Sequence, residues 1–181
     1  MEDDKYDLEV LGKISDEKNW PRLDNIETIK KLLSIADKQY ESKTIEGFLS
    51  SILIYQQVIE EYLINLLKLS NLYIQAEIWP VKITLKIQEK LMFGKLIELH
   101  KRTIDFDEKT NLLNECKQFN GKRNKFVHCL LKFKTEKEMF RDASQIKKSF
   151  ELITDFYFNG YGFLEWKLAD LKKRVDWNEF L

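Results

Sequence analysis

Three residues in one short segment of this 181-residue chain have the types and spacing needed for chemistry at a phosphate. Arg123 is followed directly by Asn124, and His128 comes five positions after the arginine. An imidazole has an unperturbed pKa of about 6.5, so it can move protons near neutral pH. A guanidinium stays charged, and its planar fork matches two phosphate oxygens. This combination could bind an anion such as RNA phosphate and transfer protons beside it.

The surroundings of these residues are basic, although the chain as a whole carries no net charge. There are 30 Lys and Arg residues against 30 Asp and Glu residues, yet no acid occurs between Glu115 and Glu136. Such a local excess of positive charge favours an anionic partner. The residues that we expect to contact RNA are Lys122, Lys125 and Lys132. The alternative interpretation is that these lysines only form a solvated helix face.

A helix must position the candidate residues, and its geometry determines how they face one another. Asn124 and His128 are four residues apart, so they are neighbours on one helix face. Arg123 and His128 are about 140° apart around the axis and about 7.5 Å apart along it, so they would border one groove. Two structural alternatives remain open, an ion pair between Arg123 and Glu60 and a buried His128 with a core role. The other histidine, His100, is expected on the surface.

The composition limits the class of protein. The chain is 44% hydrophobic and 33% charged, with only six Gly and two Pro, which is typical of one helix-rich domain. Cys116 and Cys129 cannot form a disulfide framework, so we expect a reducing, cytoplasmic setting. The longest apolar stretch, 48–69, contains too many polar residues to span a bilayer. Because no metal-ligand spacing or Gly-rich phosphate loop occurs, no metal ion or cofactor is expected.

The apolar spacing predicts an all-α bundle of about five to six helices, preceded by an N-terminal arm at 1–23. The domain itself is predicted to cover 24–181. Its helices are expected at about 24–41, at 44–69, at 91–102, from about 107 through the candidate segment, and after 135. Capping-box patterns are present at Asp24 with Glu27 and at Thr135 with Glu138. Asn120-Gly121 could break or merely bend the fourth helix, and Gly160 and Gly162 are expected to interrupt the last one.

Residues 72–87 show a different pattern. Apolar and polar residues alternate on both sides of Pro80, and several of the apolar ones are β-branched. Alternation of this kind predicts a small β-hairpin insert that turns at Pro80 and packs on the helices.

The run Arg123-Asn124-Lys125-Phe126-Val127-His128 resembles the signature of HEPN domains, which is Arg, four to six residues and then His. A polar residue often follows the Arg directly. The predicted second helix is similar to that family as well, because Gln57 and Glu60 match its Gln-x-x-Glu pattern. The resemblance covers about 44–175 and implies an all-α bundle that is usually a homodimer. Many members are metal-independent endoribonucleases that serve as toxins or in phage defence.

The resemblance implies specific roles for residues of this chain. Arg123, Asn124 and His128 would be catalytic, with Gln57 and Glu60 steadying the arginine. A homodimer would bring two copies of His128 into one cleft that cuts single-stranded RNA, and an antitoxin or other protein could be a further partner. Leu130 stands where partnered toxins carry a modified tyrosine, so control by that modification is not expected. The alternative is a catalytically inactive helical module that binds a protein, a nucleotide or nucleic acid.

Overall fold

The computed structural model describes residues 12–79, 81 and 91–174, and these residues form helices without any β-strand. The prediction of an all-α bundle with five to six helices is confirmed. A helical turn at 12–15 precedes the five longer helices, which are α1 (Ile26–Glu41), α2 (Ile45–Glu77), α3 (Phe93–His100), α4 (Lys109–His128) and α5 (Glu136–Arg174). A 3₁₀ turn, Leu130–Lys132, connects α4 towards α5.

Helix α2 is the centre of the bundle, because it packs against α1, α3, α4 and α5. It is apolar around most of its circumference, as expected of a helix that is enclosed by others. Two aromatic pairs join it to α5: the rings of Tyr55 and Phe150 lie 4.3 Å apart, and those of Tyr62 and Tyr157 lie 4.1 Å apart. The Tyr157 hydroxyl also donates a hydrogen bond to Asn65 Oδ1 at 2.9 Å. These contacts set the rotation of α2 within the bundle.

The predicted hairpin at 72–87 is wrong in its first half, because α2 continues to Glu77. Leu72, Gln75 and Ala76 are buried, and their spacing is that of a helix face. The amide of Gln75 donates to the carbonyl of Val81 at 2.9 Å and closes the turn after the helix. Most of the second half of the predicted hairpin, residues 82–87, lies outside the described residues.

The glycines do not interrupt helices in the way the sequence predicted. Helix α4 passes through Asn120-Gly121, and α5 passes through Gly160 and Gly162 without a break. Gly160 has a packing role, since a Cβ built on it would lie 2.7 Å from two ring carbons of Phe106. The missing side chain lets this aromatic ring approach the α5 backbone.

The two predicted capping boxes have different outcomes. The N–H of Glu138 donates to Thr135 Oγ1 at 3.2 Å, as the pattern at the start of α5 predicts. The box at Asp24 is wrong, because α1 begins at Ile26 after Asn25, whose φ of 54° is left-handed and whose side chain makes no capping bond. Asp24 instead forms an ion pair with Lys68 of α2 at 3.2 Å.

Part of the N-terminal arm docks on the bundle. Ile14 and Trp20 are both buried, and the Trp20 indole N–H donates to the Ile14 carbonyl at 3.4 Å. Residues 1–11 and the tail at 175–181 lie outside the described residues.

His100 is buried, so its expected place on the surface is wrong. Only 1% of the side chain is exposed, and its Nε2–H donates to the Leu63 carbonyl of α2 at 2.8 Å. Burial is the main reason that the pKa of His100 is lowered to about 4; the nearby charge of Lys109 contributes to the shift, and the hydrogen bond to the Leu63 carbonyl partly opposes it. The imidazole therefore joins α3 to α2 in its neutral form.

Stability should fall with acidification because of this histidine. In the unfolded chain His100 takes up a proton below about pH 6.5, whereas in the folded protein it stays neutral down to about pH 4. The unfolded state therefore binds more protons in this window, and the free energy of unfolding should drop by about 1.5 kcal/mol between about pH 6.5 and about pH 5.

Urea unfolding of wild type and of His100→Gln at these two pH values would measure the effect. Glutamine keeps an N–H donor but does not titrate, so this variant should lose most of the histidine-dependent slope. His128→Gln, at the exposed histidine, is the matched control and should keep it. If the free energy of unfolding of His100→Gln falls with pH as steeply as that of wild type, His100 is not the source of the effect.

Candidate functional site

Helix α4 carries all three of the candidate residues and is anchored by the opposite part of its surface. Phe119 and Phe126 are fully buried in the core, and α4 ends at His128, where the Cys129 N–H donates to the Lys125 carbonyl at 2.9 Å. The anchoring aromatics turn the candidate residues outward. Arg123 is consequently half-buried, and Asn124 and His128 are exposed.

A groove of about 610 Å³ lies between α2, α3 and α4. We call it the central groove. Its polar wall includes residues from all three helices: Gln56, Glu60, Lys95, Glu98, Arg123 and Asn124. The structure therefore brings two of the three predicted catalytic residues, and one of the two predicted supporting residues, to a single site.

Among the described residues, no carboxylate forms an ion pair with Arg123. Its Nη1 donates to Asn124 Oδ1 at 2.8 Å, which holds the guanidinium against its own helix. Its Nε is shielded from solvent and has no hydrogen-bond partner. Glu60 lines the same groove but forms no ion pair with Arg123. The structural alternative of an Arg123–Glu60 ion pair is therefore not what the bundle forms.

The supporting residues on α2 separate into two sites. Gln56 Nε2 donates to Glu60 Oε1 at 2.8 Å, and both side chains line the central groove. Gln57 instead faces a second cleft of about 540 Å³ between α1 and α2, which Glu60 and Glu61 also reach. Gln56 was not among the predicted site residues, although its spacing of four residues from Glu60 is the signal that could have identified it.

Other residues of the groove were also missed by sequence reasoning. Asn120 precedes Asn124 by one helical turn, so the i, i+4 spacing placed it on the same face. Lys95 and Glu98 come from α3, and the sequence contains no local signal that this helix packs beside the candidate segment.

His128 lies beyond the edge of the central groove. It continues the stripe of Asn120 and Asn124 along α4, about 6 Å further along the axis than Asn124. It is exposed and makes no hydrogen bond with another described residue. The alternative of a satisfied core histidine is thus not observed, and the imidazole is open to solvent or to a second molecule.

The three lysines predicted to contact RNA have different environments. Lys125 reaches Asp142 of α5 at 2.7 Å and Glu138 at 3.5 Å, and it lies 5.0 Å from the centre of the Phe133 ring. Its hydrogen bond to Asp142 raises the pKa of Lys125, so its charge is already paired within the chain. Lys122 is half-buried and Lys132 exposed, and neither has an ion-pair partner among the described residues.

Two exposed apolar side chains occur close to the candidate residues, one in the central groove and one close along the chain. Met92, at the start of α3, lines the central groove and is 75% exposed. Leu131 follows three residues after His128 and is fully exposed. Isolated exposed apolar residues are common, but Met92 belongs to the groove itself and Leu131 follows closely after His128 in the chain.

The described helices are neither apolar enough for a membrane span nor provided with clustered metal ligands. Within 12–79, 81 and 91–174, every helix is too short or too polar to cross a bilayer. The same ranges contain no group of three His, Cys, Asp or Glu side chains placed to hold a metal ion. No protein-family model, no curated protein and no solved structure matches this chain.

Proposed function

We propose that this chain is a metal-independent endoribonuclease that cuts single-stranded RNA as a homodimer. The observation that carries the proposal is the state of Arg123, a cation on an open groove without a paired carboxylate among the described residues. A guanidinium in this state is ready to bind an external phosphate. The exposed imidazole of His128 follows on the same helix and supplies a group for proton transfer.

The proposed reaction uses the 2′-hydroxyl of the RNA as its nucleophile. His128 takes the proton from this hydroxyl as the oxygen attacks the adjacent phosphorus. Arg123 stabilises the additional negative charge on the phosphorane. The bond from phosphorus to the 5′-oxygen then breaks, and a second acid protonates the leaving oxygen. The products are a 2′,3′-cyclic phosphate and a free 5′-hydroxyl.

The second acid is the reason for proposing a dimer. One imidazole cannot act as base and acid at the same time, and the chain has only two histidines. His100 is buried on α2 and cannot serve. In a two-fold dimer the partner's His128 would take this role. Burial of Met92 and Leu131 between the two copies would favour association, since exposed apolar surface often marks an interface.

The biological role follows from the activity and from the resemblance of the Arg123–His128 segment to HEPN domains. Uncontrolled cutting of cellular RNA would stop growth, and such an activity suits a toxin or a phage-defence or stress effector. A partner protein would then be needed to hold the activity in check.

The test is cleavage of end-labelled single-stranded RNA by the purified protein in the presence of EDTA. Arg123→Ala should lower the cleavage rate by about 10²–10³-fold, because one donor to the developing charge is lost. Arg123→Lys should recover only part of it, since an ammonium lacks the planar fork. Arg102→Ala removes an exposed arginine outside the groove and is the matched control. Intact RNA after incubation with wild type would contradict the proposal.

A binding module without catalysis is the second candidate, and one observation favours it. Glu60 and Glu98 line the same groove as Lys95 and Arg123, so positive and negative side chains are balanced there. His128 is also not among the residues that line the groove. For this candidate we expect RNA retention that weakens with added salt, without any cleavage product.

A further inference from the structure

The central groove holds a carboxylate and a guanidinium that do not neutralise each other. Glu60 is on α2, Arg123 is on α4, and no ion pair joins them. One carboxylate oxygen of Glu60 accepts from Gln56, which orients the group and leaves the other oxygen available. A ligand that bridges these two walls must offer hydrogen-bond donors to the carboxylate and acceptors to the guanidinium.

Two sheltered polar atoms indicate that the groove is incomplete without a ligand. Gln56 Oε1 and Arg123 Nε are both shielded from solvent and have no hydrogen-bond partner. Leaving such an atom unpaired destabilises the folded protein, so native proteins rarely tolerate it without a functional reason. Both atoms belong to side chains that line the groove, and a small rotation of either side chain towards a ligand could satisfy them.

The remaining walls and the charge balance suit a flat, uncharged ring. The groove volume of about 610 Å³ falls within the range of small-molecule sites. The exposed Met92, together with the small accessible part of the otherwise buried Phe93, provides apolar surface against which a ring can lie. The two acidic and two basic side chains disfavour a second phosphate and favour a neutral, polar group.

We infer that the central groove binds one unpaired base of the RNA and that it prefers guanine. Guanine presents two acceptors, O6 and N7, that match the fork of Arg123. It also presents the donors N1–H and N2–H side by side. A carboxylate can accept such a pair with its two oxygens, so this edge of guanine matches Glu60. Adenine, cytosine and uracil lack this pair of donors. The inference rests on the proposed action on RNA and adds the base that is recognised beside the cut.

The experiment is a titration of the full chain with the four nucleoside 5′-monophosphates, followed by NMR or calorimetry. All four carry the same phosphate, so differences in affinity report the base alone. GMP should bind most tightly. Glu60→Gln should weaken GMP binding by about tenfold or more and leave UMP binding nearly unchanged. Glu61→Gln changes the neighbouring exposed carboxylate, which does not line the groove, and should bind GMP as wild type does.

The outcomes separate this inference from the proposed function. Equal affinity for all four nucleotides, or equal losses in Glu60→Gln and Glu61→Gln, would overturn it. RNA cleavage without such a preference would leave the endoribonuclease proposal standing and remove the inference. A GMP preference without any cleavage would support the groove as a base site and count against the enzyme. When both proposals hold, sequencing of the fragments should show cuts next to guanine.

Discussion

Replacement of His128 by alanine should reduce RNA cleavage by about 10²–10⁴-fold, the usual contribution of a general acid or base. The fold should survive, because the side chain is exposed and makes no hydrogen bond with another residue that the structure describes. The free energy of unfolding should therefore change by no more than about 0.5 kcal/mol. Cleavage rates on labelled RNA and urea unfolding of the same preparations measure the two quantities.

A mixing experiment tests the composite nature of the proposed site. Arg123→Ala and His128→Ala are expected to be inactive separately. Wild type refolded with an excess of His128→Ala would form mixed dimers that hold only one imidazole, so the cleavage rate per wild-type chain should fall well below that of wild type alone. Cleavage that persists in His128→Ala alone would place the chemistry elsewhere. An unchanged cleavage rate per wild-type chain in these mixtures would contradict a shared cleft.

Replacement of Gly47 by alanine should cause a large loss of stability for the addition of a single methyl group. Gly47 lies in the first turn of α2, directly against the end of α1. A Cβ at this position would lie far inside van der Waals contact with the Gln39 carbonyl oxygen and with Ser42 Oγ. The carbonyl belongs to the backbone, so it cannot turn away as a side chain could. We expect a loss of about 3 kcal/mol, the upper part of the range for overpacking.

The matched control for this change is Gly121→Ala in α4. A Cβ on Gly121 would meet nothing within 4 Å, and the residue is in the middle of a helix. Alanine should therefore stabilise the protein by about 0.5–1 kcal/mol, because it restricts the unfolded chain and favours the helix. Urea unfolding of both variants gives the comparison. A Gly47→Ala protein as stable as Gly121→Ala would show that the α1–α2 corner is not as close as described.

Local patterns were sufficient to predict most of the helices. Where the apolar period was unambiguous, as in α1 and the first part of α2, the observed element followed the prediction within a few residues. The errors arose where one pattern had two readings. Residues 72–77 alternate like a strand yet also place Leu72, Gln75 and Ala76 on one helix face. Gly160 was predicted to break α5, but it gives room to Phe106, a residue distant in sequence.

By itself the sequence determined that Asn124 and His128 lie on one helix face with Arg123 about 140° away from His128, and it left the burial of the arginine and the histidine open. Covalent order and the helical period fix the relation of residues within an element, and the buried Phe119 and Phe126 set which side faces out. Only the tertiary structure decided which residues of the other helices face Arg123 and Asn124 across the central groove. It placed Gln56 rather than Gln57 in the groove, since neighbouring positions differ by about 100° around α2.

The tertiary structure also decided which charged side chains are paired. The sequence has no acidic residue between Glu115 and Glu136. The fold nevertheless brings Asp142 against Lys125, and it leaves Arg123 without a paired carboxylate among the described residues. It also buries His100 on the Leu63 carbonyl. Contacts between helices depend on their relative rotation and axial offset. These are set by the packing of the whole core, and no local period along the chain encodes them.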